Sequence, residues 1–393
     1  MRSLYLRYAD FLRPPGTLRF MAFGFLARLP IGTLGIATLL HVRELSGSIA
    51  FAGSVVGAQL VAAAAMGPVL GRMIDTRGLR PVLRLTAFVP AVSILLVLFA
   101  APLGLSRYTV VAAAIATGAF LPPITPVIRT IWRQRYNDEQ TRRTAYTLDV
   151  VTIELSFTLG PALIAALIAT ASPQAALGLA WLFTAAAVPL LIASGGLGWW
   201  KQAEAAERHL LGPLREPRML VIYATCFALT ATFGALEVGY PGFAVAQATT
   251  AWGPALIAIN SVGSALGGIL YGGLRLSMPV ERQLPWLLGL LALPIAFHLA
   301  VGDPWAMAPL AFVAGILIAP SIAAVTLLVS RYAPPHYATE AFTWSGTAIL
   351  TGVGAGIAVG GALTERFGPP GAFLLAVVCA LSASVLALLL RRR

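Results

Sequence analysis

Twelve stretches of about 20 mostly apolar residues recur along this chain, each long enough to cross a bilayer as an α-helix. The bilayer core offers no water to backbone N–H and C=O groups, so every crossing stretch must satisfy them internally, as a helix does. The expected fold class is all-α integral membrane. The stretches lie near residues 18–40, 48–70, 81–103, 108–131, 144–169, 174–196, 219–244, 250–274, 284–301, 304–329, 339–363 and 370–390. A soluble reading fails on composition. With 58% hydrophobic and 11% charged residues over 393 positions, the chain lacks the polar skin that one soluble core requires.

Basic residues set the orientation, because Lys and Arg in short loops stay on the cytoplasmic side. Arg72, Arg77, Arg80, Arg84, Arg129, Arg133, Arg135, Arg142, Arg143, Lys201, Arg208, Arg215, Arg218, Arg275, Arg282, Arg331 and both basic chain ends gather on one side. Only Arg43, Arg107 and Arg366 fall on the other, and Arg28 lies within a span. A multi-pass protein of the cytoplasmic membrane with both termini in the cytoplasm is expected. The net charge of +12 follows from this asymmetry and from attraction to anionic lipid, without any nucleic-acid partner. Residues 1–17 mix Arg2, Arg7, Asp10 and Arg13 with Tyr5, Tyr8 and Phe11, the pattern of an amphipathic segment on the inner interface. The stretch that follows is too long for a cleaved signal and is expected to remain as the first span.

Chemistry other than transport finds little support. Cys226 and Cys379 sit in separate apolar spans, and His41, His209, His298 and His336 are scattered, so neither a metal set nor a nucleophile with its base emerges. No enzyme activity and no cofactor are expected. The polar stretch 199–217 divides the chain into bundles at 18–198 and 218–393. The two also resemble each other: offset by about 200 residues, Gly67, Gly71 and Gln59 meet Gly268, Gly272 and Asn260, while Gly118 and Pro123 meet Gly315 and Pro320 at a slightly shorter offset.

Charges inside spans point to function, because an Arg or Asp at mid-depth costs about 2.5–3.5 kcal/mol even on insertion scales. Arg28 and Glu154 each lie about ten residues into spans that run outward, so the two are expected to face each other at mid-depth. Either they form a site in which Arg28 attracts a polar or anionic group and Glu154 carries a proton, or they are a structural ion pair. Glu237, ahead of Gly239 and Pro241, has no evident partner and is a second proton candidate, unless it simply lines a watery mouth. Gln59, Asn260 and Trp344 are candidate cavity groups, with helix packing as the alternative. Phe227, Phe233 and Tyr240 are candidate apolar wall, with lipid-facing positions as the alternative.

The stretch Gly71–Leu83, GRMIDTRGLRPVL, resembles the signature loop between the second and third spans of the major facilitator superfamily. Gly71, Asp75, Gly78, Arg80 and Leu83 match it, whereas Thr76 and Leu79 stand where basic residues are usual and Arg77 and Arg80 keep the loop positive. The resemblance implies two pseudo-symmetric six-helix bundles that rock about a central cavity. It also implies a cytoplasmic gate of Gly71, Asp75, Arg77, Gly78, Arg80, Arg129 and Asp149, with Asp75 capping the eleventh span near Thr339 and Glu340. The second, fifth, eighth and eleventh spans would form the seam. The glycine pairs Gly53/Gly57, Gly67/Gly71, Gly263/Gly267 and Gly268/Gly272, and the triplet Gly352, Gly356 and Gly360, would sit on it.

Gly160-Pro161 resembles the start of a motif of drug/proton antiporters, although Ile164-Ala165 replaces its glycine pair and residues 112–127 lack the arginine of that branch. The expectation is a monomeric secondary transporter of a small molecule that exports an amphipathic compound in exchange for protons. Proton-linked uptake, sugar efflux, or a sensor or lipid-handling protein on the same scaffold are the alternatives.

Overall fold

The computed structural model describes residues 2–202, 209, 211–249, 252–274 and 276–391. Linker residues 203–208 and 210, and Arg275, Arg392 and Arg393, lie outside the described residues. Twelve candidate spans are present among those described, and no strand. After α1 (Arg2–Leu12), the first span is α2 (Thr17–Leu26) and α3 (Leu29–Ser46). The second and third are α4 (Ile49–Arg77) and α5 (Leu79–Leu98), and the fourth is α6 (Arg107–Ala119) with α7 (Ile124–Arg135). The fifth and sixth are α8 (Glu139–Thr170) and α9 (Pro173–Ala193). The second bundle follows as α10 (Pro217–Ala246), α11 (Trp252–Gly273), α12 (Val280–Phe297), α13 (Pro304–Tyr332), α14 (Ala338–Phe367) and α15 (Pro369–Leu388).

Two spans break for a local reason. Pro30 lacks the N–H that would bond one turn back, and the first span interrupts at Ala27-Arg28. Pro122 and Pro123 separate α6 from α7 in the same way.

The internal repeat appears as one contact made twice. A Cβ on Gly118 of α6 would lie 1.9 Å from the backbone oxygen of Gln59 on α4, and one on Gly315 of α13 would lie 2.0 Å from that of Asn260 on α11. In each bundle, therefore, the second and fourth spans cross backbone to backbone at matching residues.

Glycine spacing alone mislocated part of the seam. Gly71 meets Glu340 and Thr343 across the bundles, and Gly268 and Gly272 meet Thr147. Gly263 and Gly267 instead pack on Phe312 and Ile316 of α13, and Gly352, Gly356 and Gly360 on α10, all within the second bundle. Gly53 and Gly57 meet nothing within 4 Å. Close helix approach is needed inside a bundle as much as between bundles, so the same four-residue spacing serves both.

Burial along the seam helices locates a cleft. Near the Gly71–Leu83 loop, α8 is buried from Arg143 to Thr147 and α14 from Ala338 to Thr343, on every side. Further along, burial narrows to every fourth residue, Ser156, Gly160 and Ile164 on α8 and Gly352, Gly356 and Gly360 on α14. Those stripes touch partners in their own bundle: Gly160 lies against Gly32, and the α14 glycines against Phe227, Ala231 and Ala235. The bundles thus meet at the loop end and part beyond mid-length.

Candidate functional site

The floor of the cleft is set by two contacts between bundles. Ser264 of α11 donates to the Glu154 carboxylate of α8 at 2.6 Å, and Thr347 of α14 donates to the Ala64 carbonyl of α4 at 2.8 Å. Glu154 is half-buried there and makes no ion pair among the described residues.

Arg28 does not face Glu154. Its Nη2 pairs with Asp149, while Nε donates to Thr125 at 3.1 Å and Nη1 to Thr152 at 3.0 Å. Arg129 Nε takes the other Asp149 oxygen at 2.8 Å, and all three side chains are at most 3% exposed. The correction follows from where α8 begins. It starts at Glu139, not near residue 144, which puts Asp149 ten residues in and Glu154 fifteen, whereas Arg28 lies eleven residues after Thr17. The void beside the triad is about 10 Å³, room for one water and no ligand. Arg28 therefore knits the first, fourth and fifth spans together, and Asp149 belongs with it and Arg129 and not with Asp75.

Other candidates divide. Asn260 is 3% exposed and gives its amide N–H to the Ala311 carbonyl of α13 at 2.9 Å, and Gln59 is 6% exposed at the matching crossing. The Asn260 side chain therefore bonds within its own bundle. Tyr240 is likewise interior, its hydroxyl 3.2 Å from His298 Nε2, while Phe227 is 40% exposed and Phe233 half-buried. Trp344 has a shielded indole N–H with no partner among the described residues. Glu237 is half-buried without an ion pair among them.

The loop end is sealed by helix ends capped from the opposite bundle. Asp75 accepts from the backbone N–H groups of Thr339 at 3.1 Å and Glu340 at 2.8 Å, placing an anion on the positive start of α14. The arginine that crosses beside it is Arg72, which grips Glu340 through Nε and Nη2, both at 3.1 Å. Arg77 and Arg80 of the signature loop are exposed instead. Arg72 had a legible signal: it precedes Asp75 by three residues, so the two share a face of α4.

At α11 the polarity reverses. Thr144 donates to the Gly272 carbonyl at 2.8 Å and Gln140 to that of Leu274 at 3.0 Å, while Tyr146 of α8 reaches Ser330 of α13 at 2.8 Å. Arg331 pairs with both Glu139 and Glu281. α8 itself is capped in cis by Asp138, whose bonds from Thr141 hold its carboxyl below the usual carboxylate range. Loss of the Asp75 cap is expected to favour separation at this end without unfolding the bundles. For Asp75→Asn, accessibility of a cysteine placed at Thr343 should rise several-fold, and unchanged labelling would refute the gate assignment.

A family description, Major Facilitator Superfamily, matches residues 20–293. No curated protein sequence matches the chain. Among solved structures, the chain is similar to a bacterial homologue of the iron transporter ferroportin in its outward-facing state, with TM-score 0.80 at 12% identity over 96% of this chain and 99% of that one. It is similar to the human organic anion transporter MFSD10 (TETRAN), with TM-score 0.73 at 16% identity over 95% of this chain and 100% of that one. It also resembles the E. coli fucose:proton symporter FucP, with TM-score 0.73 at 11% identity over 96% of this chain and 99% of that one. At such identities these likenesses show the fold. With the signature loop in place, the twelve-span fold and most of the length matched, the chain belongs to the Major Facilitator Superfamily, and so to the membrane transporters.

Proposed function

We propose that this protein is a proton-coupled secondary transporter that exports a small amphipathic compound by alternating access. The loop end, with both chain termini, lies in the cytoplasm, and the cleft faces outward. The 199–217 segment joins two bodies, residues 18–198 and 218–393, that rock about the floor. The observation that carries this reading is the Glu154–Ser264 bond at 2.6 Å, where a carboxyl without a cation among the described residues ties the bundles together at the floor of the cleft. Moving a charged carboxylate through an apolar seam is costly, whereas a neutral acid passes easily. Proton uptake by Glu154 and release of the seam are therefore one event.

The exposed Phe227 ring offers an apolar face for an amphipathic ligand, and the shielded Trp344 indole N–H, without a partner among the described residues, would become a polar point once the bundles separate. Glu237 is the second titrating group. Arg28 and Asp149 form the rigid wall against which Glu154 moves.

The test uses proteoliposomes with an imposed pH gradient and a panel of amphipathic dyes. Wild type should concentrate dye on the acidic side. Glu154→Gln should retain dye equilibration while losing its dependence on the gradient by about tenfold or more, and Glu237→Gln should lose part of it. If both Gln variants stay coupled, the proton assignment is wrong, and dye moving down the proton gradient would instead favour linked uptake.

A further inference from the structure

The N-terminal helix α1 lies across the seam. On one side Phe11 is 5% exposed, its ring 5.6 Å from Trp132 and 5.7 Å from Tyr136, at the end of α7 in the first bundle. On the other side Tyr8 donates to the Ile269 carbonyl at 2.5 Å, and Arg7 Nη1 donates to that of Gly273 at 2.7 Å, both near the C-terminal end of α11 in the second bundle. The Gly273 carbonyl is one of the four that a helix end leaves without an internal partner, and a guanidinium suits the negative end of the dipole. Gly272 makes the approach possible: a Cβ there would sit 2.7 Å from the Tyr8 hydroxyl. Burial pushes the Tyr8 phenol up to about 12, so it remains a donor at any physiological pH.

The tether between α1 and the first span is short and stiff, Pro14-Pro15-Gly16, with Gly16 at φ +83°. A cavity of about 280 Å³ separates α1 from the start of α8, lined by Arg7, Asp10, Tyr136, Asp138, Gln140 and Thr144. Anchored by an aromatic cluster on one bundle, α1 touches the other through two hydrogen bonds, with open space beside them. Such a contact can let go without unfolding either bundle.

We propose that α1 is a strap, carried by the first bundle, that fastens onto the C-terminal end of α11 and biases the transporter toward the form closed at the loop end. It rests on the reading that the two bundles rock. When that end opens, Ile269 and Gly273 move away, and the aromatic anchor keeps α1 with the first bundle. Anything that engages α1 from the cytoplasm or the lipid surface would then set the balance between the two forms.

The experiment places spin labels on cysteines at Asn137 and Leu276, exposed on opposite bundles at the loop end, in a background with Cys226 and Cys379 replaced by Ser. Double electron–electron resonance reads the distance distribution. Tyr8→Phe keeps the ring and removes one bond, and Arg7→Gln keeps much of the stem. Together they should raise the ratio of long to short separations about tenfold, the combined worth of two such bonds. Arg13→Gln on the same segment should leave the distribution at wild type, and an equal shift there would overturn the strap in favour of a general charge effect. Asp75→Asn separates the remaining outcomes. If it lengthens the distances while the Arg7 and Tyr8 variants do not, the strap is overturned and the rocking stands. If no variant changes the distribution, the rocking itself is overturned, and the strap with it.

Discussion

Asp149→Asn is expected to lower the stability of the purified protein by about 3–5 kcal/mol, because it strands two guanidinium groups in a dry interior. Asp149 is the only anion touching Arg28 and Arg129 among the described residues, and its side chain is fully buried. The triad carries two positive charges and one negative, so the single variants are not equivalent. Arg28→Met leaves Asp149 paired with Arg129 and should cost less than half as much. Thermal unfolding followed by tryptophan fluorescence, with monodispersity checked by gel filtration, ranks the two. Equal unfolding temperatures for wild type and Asp149→Asn would show that the triad does not hold the first bundle together.

Gly118→Ala and Gly315→Ala are expected to cost about 2 kcal/mol each, since a new methyl would force backbone apart and not merely displace a flexible side chain. The clashes, at 1.9 Å and 2.0 Å, are against the carbonyl oxygens of Gln59 and Asn260. Because these crossings lie in different bundles with no shared neighbour, the losses should add in the double variant. Unfolding temperatures of the two singles and the double measure both points. Wild-type stability in either single would mean that the helices separate there at no cost, contrary to a tight crossing.

The sequence read well wherever a feature depends on one helix or on a fixed spacing. Span positions followed from apolar length, a local rule, whereas the cap on α14 at Thr339 and Glu340 followed from the resemblance of the signature loop and not from local spacing. Partners across helices were harder. Placing Arg28 opposite Glu154 required the start of α8 to within a turn, and the polar first turns Glu139–Arg143 extend the helix below the apolar stretch that marks a span. Asp149 and Glu154 are five residues apart, about 7.5 Å along the axis, and that distance exchanged one partner for another. Gly67, Gly71, Gly268 and Gly272 do lie on the seam, but Gly263, Gly267 and the α14 glycines pack within their own bundle, because spacing encodes closeness without saying to which neighbour. Nothing in the polar N-terminal segment signalled that Arg7 and Tyr8 would end on α11, 261 or more residues away.

Sealing the loop end with trans-bundle caps has an energetic corollary. The groups that the proposed opening would release, the N–H pair at the head of α14 and the carbonyls at the tail of α11, lie at helix termini where water can take over. If the bundles rock as proposed, each lost protein bond would be exchanged for hydration, and the apolar interior would stay undisturbed. A proton or a small molecule, which delivers only a few kcal/mol, would then be enough to tip the proposed balance.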